Sequence, residues 1–239
     1  MTQRKRRGPG MRVVTWLGMA AGIFIGLSVL LVLPWRWLDP PTSAFMVWHW
    51  VEARLEGRPP PVLFHEWVDW AAIAPEMPLA VIAAEDQRFP EHGGFDLIEI
   101  RKAWERHEAG ARLRGASTLS QQTAKNLYLW PGRDWLRKGL EAWFTVLIEV
   151  AWPKQRILEI YLNIAQFGPD TYGVGAASWR FFDRPPIALG PAQAALLAAV
   201  LPNPDIYRVE APSGHVRERA AWIEQQMQQL GGRRYLRNL

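Results

Sequence analysis

The alternation of apolar and polar positions divides the chain into one unbroken apolar run and a longer amphipathic body. Val13 to Leu33 carries no charge over 21 positions, and a helix of that length rises about 30 Å, the thickness of a bilayer's hydrocarbon core. From Leu38 to Met77, Asp39-Pro40-Pro41 and Pro59-Pro60-Pro61 forbid long regular structure, so the pattern predicts a connector with one short helical piece. Pro78 stands at a plausible first helical position, and the apolar run behind it leads to Glu85. Asp96 and Glu99 have capping-box spacing ahead of Leu97, Ile100 and Trp104, which predicts another helix. Arg106 to Arg114, charged and interrupted by Gly110, reads as a surface link.

Beyond it the helical period dominates. Ser117 is the expected cap of a helix from Thr118 to about Leu129, stopped by Pro131-Gly132. Asp134 caps the next, whose stripe is Leu136, Leu140, Trp143, Leu147 and Val150; Lys154 to Phe167 follows, and Gly168 ends it. Gly173 and Gly175 allow close backbone approach before the helix carrying Phe181 and Phe182. Pro191 to Leu201 is apolar nearly all round and belongs at the centre of the core, and a last helix after Ser213 shows Val216, Ala220, Ile223, Met227 and Leu230. No strand run stands out. The expected fold is mainly α: a basic tail (1–12), a transmembrane signal anchor (13–34), a juxtamembrane connector (35–77) and a single main domain (78–239).

Charge changes the picture in one respect. The formal net charge is +5, and Arg4, Lys5, Arg6, Arg7 and Arg12 supply all of it, so the rest of the chain sums to zero. Those residues hold the tail in the cytoplasm by the positive-inside rule and place the main domain outside, and nucleic acid is not an expected partner. The apolar run is too long for a cleaved signal peptide and passes straight into Pro34-Trp35-Arg36-Trp37, which suits an uncleaved anchor. Without cysteine there is neither a disulfide framework nor a thiol nucleophile, and the five histidines lack zinc-site spacing.

Candidate chemistry gathers at three places. Glu85 falls one turn after Val81 on an apolar helix, where burial would raise its pKa and make it a competent base or acid; the plainer alternative is a solvated acid in a last turn. Lys125, Arg133, Arg137 and Lys138 stand against the single acid Asp134 around the Pro131-Gly132 turn, either a cradle for a diphosphate or an ordinary basic face. Glu141, four residues from Arg137 and three from Lys138, is a structural ion-pair partner or a second functional carboxylate. Gln121 and Gln122 offer amides one turn before Lys125, and His92 with Gly93-Gly94 reads as a turn-stabilising hydrogen-bonder. Leu127-Tyr128-Leu129-Trp130 with Trp135 is core or a surface that dips into a membrane.

The order of these segments resembles the monofunctional biosynthetic peptidoglycan transglycosylases of glycosyltransferase family 51, from the anchor to the last helix. Five motifs carry the likeness: Glu85-Asp86-Gln87-Arg88-Phe89 through His92-Gly93-Gly94; Gly115 to Gln122 with Lys125-Asn126; Arg137-Lys138-Gly139-Leu140-Glu141; Lys154 through Ile157-Leu158 to Tyr161-Leu162-Asn163; and Gly173 through Ala176-Ala177 to Phe181-Phe182. Ala116 replaces a common glycine, and Phe181 stands where a tyrosine is often seen. The resemblance implies a two-lobed, lysozyme-like helical domain that polymerises glycan chains from lipid II with inversion and release of undecaprenyl diphosphate. Glu85 would then be the base for the acceptor's 4-hydroxyl, Glu141 a second motif carboxylate, and Lys125 and Arg133 holders of the diphosphate. Gln121, Arg137 and Lys138 join the expected substrate-binding set. No obligatory cofactor is implied, though a divalent cation such as magnesium has room beside a diphosphate. Expected partners are lipid II, the growing strand, the bacterial inner membrane and other cell-wall synthesis or division proteins.

Two rivals share parts of this pattern: a lysozyme-like lytic enzyme using the same glutamate, and a catalytically silent membrane-anchored adaptor. A penicillin-binding transpeptidase is excluded, because no serine is followed three residues later by lysine and there is no Lys-Thr-Gly.

Overall fold

A computed structural model describes residues 9–110 and 117–239, with side chains from Val14 onward. The first eight residues of the basic tail, Gly115-Ala116 and the end of the 106–114 link lie outside the described residues. The apolar run forms helix α1 (Pro9–Val32), extended by a tight turn at Leu33–Arg36. Most of its side chains lack protein cover: Leu17 is 65% and Leu30 70% exposed. A helix that is apolar all round and bare of protein is suited to lipid. Its upper part meets the main domain, where Trp152 Nε1 donates to the Val32 carbonyl (3.2 Å) and Phe24 lies 5.6 Å from Trp143. Arg156 then ties down the chain leaving α1, donating to the carbonyls of Trp35 (2.9 Å) and Leu38 (2.6 Å) and to Asp39 (2.9 Å).

Ser43 caps α2 (Ala44–Leu55). After the prolines, strand β1 (Phe64–His65) pairs in parallel with β3 (Thr171–Tyr172), and β2 (Gln166–Gly168) pairs antiparallel with β3, giving the order β1-β3-β2. These strands went unpredicted because two or three residues cannot display a period of two. Their neighbourhood explains both glycines. A Cβ on Gly173, at φ +79°, would stand 2.6 Å from the Asn163 carbonyl, and one on Gly175 would stand 2.5 Å from that of Glu66. Asn163 completes the lock, accepting from Val68 N (2.8 Å) and donating to Val68 O (2.9 Å).

The core is helical. Helix α3 (Glu76–Glu85) begins two residues before Pro78 and is buried from Glu76 to Ala83. It packs against α9 (Pro191–Val200), the all-round apolar helix, and against α10 (Gly214–Gln229), which buries Val216, Ala220, Ile223 and Met227 as its period predicts. Helices α5 (Leu119–Tyr128), α6 (Trp135–Ala151) and α7 (Lys154–Ile164) form a second group, with α8 (Gly173–Phe182) beside α7. Helix α4 (Leu97–Glu108) starts on Asp96, whose carboxylate accepts from Ile98 N and Glu99 N. Thr118, not Ser117, caps α5. Its hydroxyl oxygen accepts from Gln121 N while the Gln121 side chain accepts from Thr118 N, a reciprocal capping box.

Candidate active site

Glu85 is the last residue of α3, delivered by a buried helix to the edge of the core. Its side chain is 16% exposed. One carboxylate oxygen accepts from Gln122 Nε2 on α5 (3.0 Å), the other from Arg219 Nη2 on α10 (3.1 Å). Gln122 is itself oriented, since its Oε1 accepts from the buried Tyr161 hydroxyl (3.2 Å) on α7. Burial lifts the Glu85 pKa above the ordinary glutamate value; Gln122, Arg219 and Lys125 oppose that rise without cancelling it. The arrangement suits a carboxylate that holds its proton more tightly than an ordinary glutamate and can still exchange it.

Asp86, next in sequence, faces elsewhere and has a structural task. It accepts from Leu119 N (3.0 Å) and from His92 Nε2 (2.9 Å), and His92 Nδ1 accepts from Gly94 N (3.2 Å). Because Nδ1 is an acceptor, the imidazole proton sits on Nε2 and is given to Asp86. His92 thus stabilises the turn, as its glycine neighbours suggest. Asp86, His92 and Asp96 bring ligand-type atoms within 4.8 Å of one another. Asp86 already accepts from Leu119 N and His92, and Asp96 Oδ1 from Ile98 N, Glu99 N and Arg88, so a cation here would compete with the donors that hold two turns.

Lys125 lies one turn beyond Gln122 on α5, and its ammonium sits 5.4 Å from the Phe45 ring centroid of α2. Burial depresses its pKa, while Glu141 and Glu85 favour the charged form and Arg137 and Lys138 disfavour it. Glu141 is buried, accepting from Arg137 Nη1 (2.7 Å) and pairing with Lys138. Asp134 sets the start of this helix by accepting from Arg137 N (2.8 Å). The opposite face of α6 is apolar and bare, with Trp135 92%, Leu136 70% and Val150 81% exposed, and α1 packs along the same helix.

The predicted residues therefore sort into three groups. Glu85, Lys125, Glu141, Arg137 and Lys138 share one electrostatic neighbourhood. Arg133 stands exposed in the α5–α6 turn and lines neither of the two cavities described below. Gln121 departs from its expected substrate-binding place: it is buried in the α5 cap, its amide oxygen committed to Thr118 N, and the neighbouring Gln122 faces the site instead. Arg219 was missed. The signal existed, because it lies three residues after Val216 and four before Ile223, a cation on the buried stripe of α10.

Two cavities are lined by residues of this neighbourhood. One of about 670 Å³ is lined by Glu85 and Trp222, the other of about 200 Å³ by Gln122, Lys125 and Tyr161. A desolvated, amide-clamped carboxylate beside a partly dehydrated lysine, on a helical body with an apolar N-terminal helix, defines a group-transfer enzyme of the acid/base kind. Comparison with known proteins makes the class specific. Residues 62–228 match the family described as Transglycosylase, and the chain belongs to that family, whose fold is helical and lysozyme-like. It is 51% identical over 225 residues to the biosynthetic peptidoglycan transglycosylase of Xanthomonas campestris pv. campestris (strain B100), covering 94% of this chain and 92% of that protein. It is 53% identical over 215 residues to the protein of the same name from Stutzerimonas stutzeri (strain A1501), covering 90% and 88%. A third, from Xylella fastidiosa (strain 9a5c), is 50% identical over 210 residues, covering 88% and 86%. These relatives, the mainly α fold and the single N-terminal apolar helix support peptidoglycan transglycosylase activity.

Proposed function

We propose that the protein polymerises glycan strands from lipid II in a single displacement. Glu85 takes the proton of the acceptor's 4-hydroxyl as that oxygen bonds to the donor's anomeric carbon. The bond from that carbon to the diphosphate breaks with its electron pair, and the configuration inverts from α to β. Lys125, with Arg137, Lys138 and the exposed Arg133, steadies the charge gathering on the departing undecaprenyl diphosphate, a preorganised electrostatic role. Glu141 holds Arg137 and Lys138 in place. The observation that carries this reading is the clamp on Glu85, which fixes both carboxylate oxygens while keeping a poorly hydrated acid within electrostatic reach of Lys125.

The same reading makes α1 a single-pass anchor in the cytoplasmic membrane, with the tail inside and the main domain in the periplasm. The exposed apolar face of α6 beside α1 supports a site that opens close to the bilayer, where a lipid-linked substrate resides. No step of this displacement calls for a bound cation. Purified full-length protein with lipid II tests the proposal: strand growth with release of undecaprenyl diphosphate is expected, at a rate a chelator leaves unchanged. Release of muropeptides from finished polymer without strand growth would favour a lytic enzyme, and inertness in both assays an adaptor.

A further inference from the structure

We propose that Trp222, one turn beyond Arg219 on α10, forms a sugar-binding platform in the larger cavity, taking the uncharged pyranose ring that presents its hydroxyl to Glu85. This rests on the glycosyl-transfer reading above and assigns a subsite within it. Arg219, Trp222 and Gln226 stand at i, i+3 and i+7, a single row on one helix face. The outer two touch the end of α3: Arg219 Nη2 on Glu85, and Gln226 Oε1 accepting from Gln87 Nε2 (3.1 Å). The middle member lines the larger cavity together with Glu85 and Gln87, the two residues its neighbours hold. There Trp222 is 44% exposed on a helix whose packing is already supplied by Val216, Ala220, Ile223 and Met227.

An indole left open in a polar cavity offers a flat apolar face and little rotamer freedom to lose, which suits the C–H face of a sugar ring. Hydroxyls around that ring need donors and acceptors, and Arg88, Glu99 and Lys102 line the same cavity. Charge decides which part of the substrate enters. Four carboxylates, Glu85, Asp86, Asp96 and Glu99, against three cations line the larger cavity, which disfavours a diphosphate, whereas the smaller cavity holds Lys125 with no acid in its wall. Sugar and diphosphate thus sort to opposite sides of the Glu85–Gln122 contact. Tyr235 stiffens the row by donating to the Gln87 carbonyl (2.6 Å).

The test uses full-length E85Q protein in detergent, so that binding is read without turnover, with lipid II and sugar-free undecaprenyl diphosphate as the two probes. Adding Trp222→Ala is expected to weaken lipid II binding about tenfold and leave undecaprenyl diphosphate binding unchanged, while Trp222→Phe retains most of the lipid II affinity. In the active enzyme Trp222→Ala should raise KM more than it lowers kcat. Equal loss for both probes, or undiminished lipid II binding by Trp222→Ala, overturns the platform alone. Failure of the E85Q parent to bind lipid II overturns the glycosyl-transfer reading and the platform with it.

Discussion

Two buried glutamates, each touched by an arginine, meet opposite fates. Glu141 lies mid-helix and its partners, Arg137 and Lys138, come from the same helix at four and three residues' distance, so local spacing alone delivers two cations to one carboxylate. Glu85 ends its helix and depends on α5 and α10, which supply one neutral amide and one guanidinium. Burial outweighs that lighter compensation and the acid holds its proton more tightly than usual. A carboxylate saturated with local cations serves as an organiser of charge; one that is desolvated but only partly compensated stays available for proton transfer.

Substitutions at these two places can break the contrast. E85Q keeps the shape of the clamp and removes the base, so lipid II polymerisation should fall about 10³-fold, within the range for general-base loss, with an unchanged far-ultraviolet circular dichroism spectrum. Near-normal strand growth by that variant would end Glu85's assigned role. Glu141→Ala should act on folding: it leaves Arg137 buried and uncompensated, a loss of about 3–5 kcal/mol by denaturant titration in detergent. Adding Arg137→Met should restore much of that loss, and failure to do so would show that the pair is not the source. Lys125→Ala should slow polymerisation about 100-fold, as expected for one electrostatic donor, with a smaller change in melting. The smallest effect concerns pH. The base works only when ionised, so activity should rise with pH through a pKa above the ordinary glutamate value. Arg219 pulls that pKa down, so Arg219→Gln should move the acid limb of the kcat profile to higher pH; an unmoved limb would mean that Arg219 does not govern the Glu85 proton.

What the sequence made legible was whatever depends on near neighbours. The apolar helix α1, the period of α10, the buried α9 and the Glu85 position one turn beyond Val81 all follow from local spacing, whereas α6 buries Phe144, Thr145 and Ile148 and leaves Leu136 and Val150 of its expected stripe exposed. The Arg137–Glu141 pair was legible for the same reason. Distant contacts were not: no local rule brings Gln122 or Arg219, 37 and 134 residues away, to Glu85. Gln121 was misplaced for a subtler reason. Thr118 and Gln121 have capping-box spacing, so reading Thr118 instead of Ser117 as the cap would have sent Gln121 into the helix start and left Gln122 for the site.

Arg156 fastens α7 to Trp35, Leu38 and Asp39, the residues where the chain leaves its apolar helix. A tether gripped at its root cannot act as a slack leash. The helical body is held at one angle to its apolar N-terminal helix, so whatever surface receives that helix also fixes how the Glu85 site is presented.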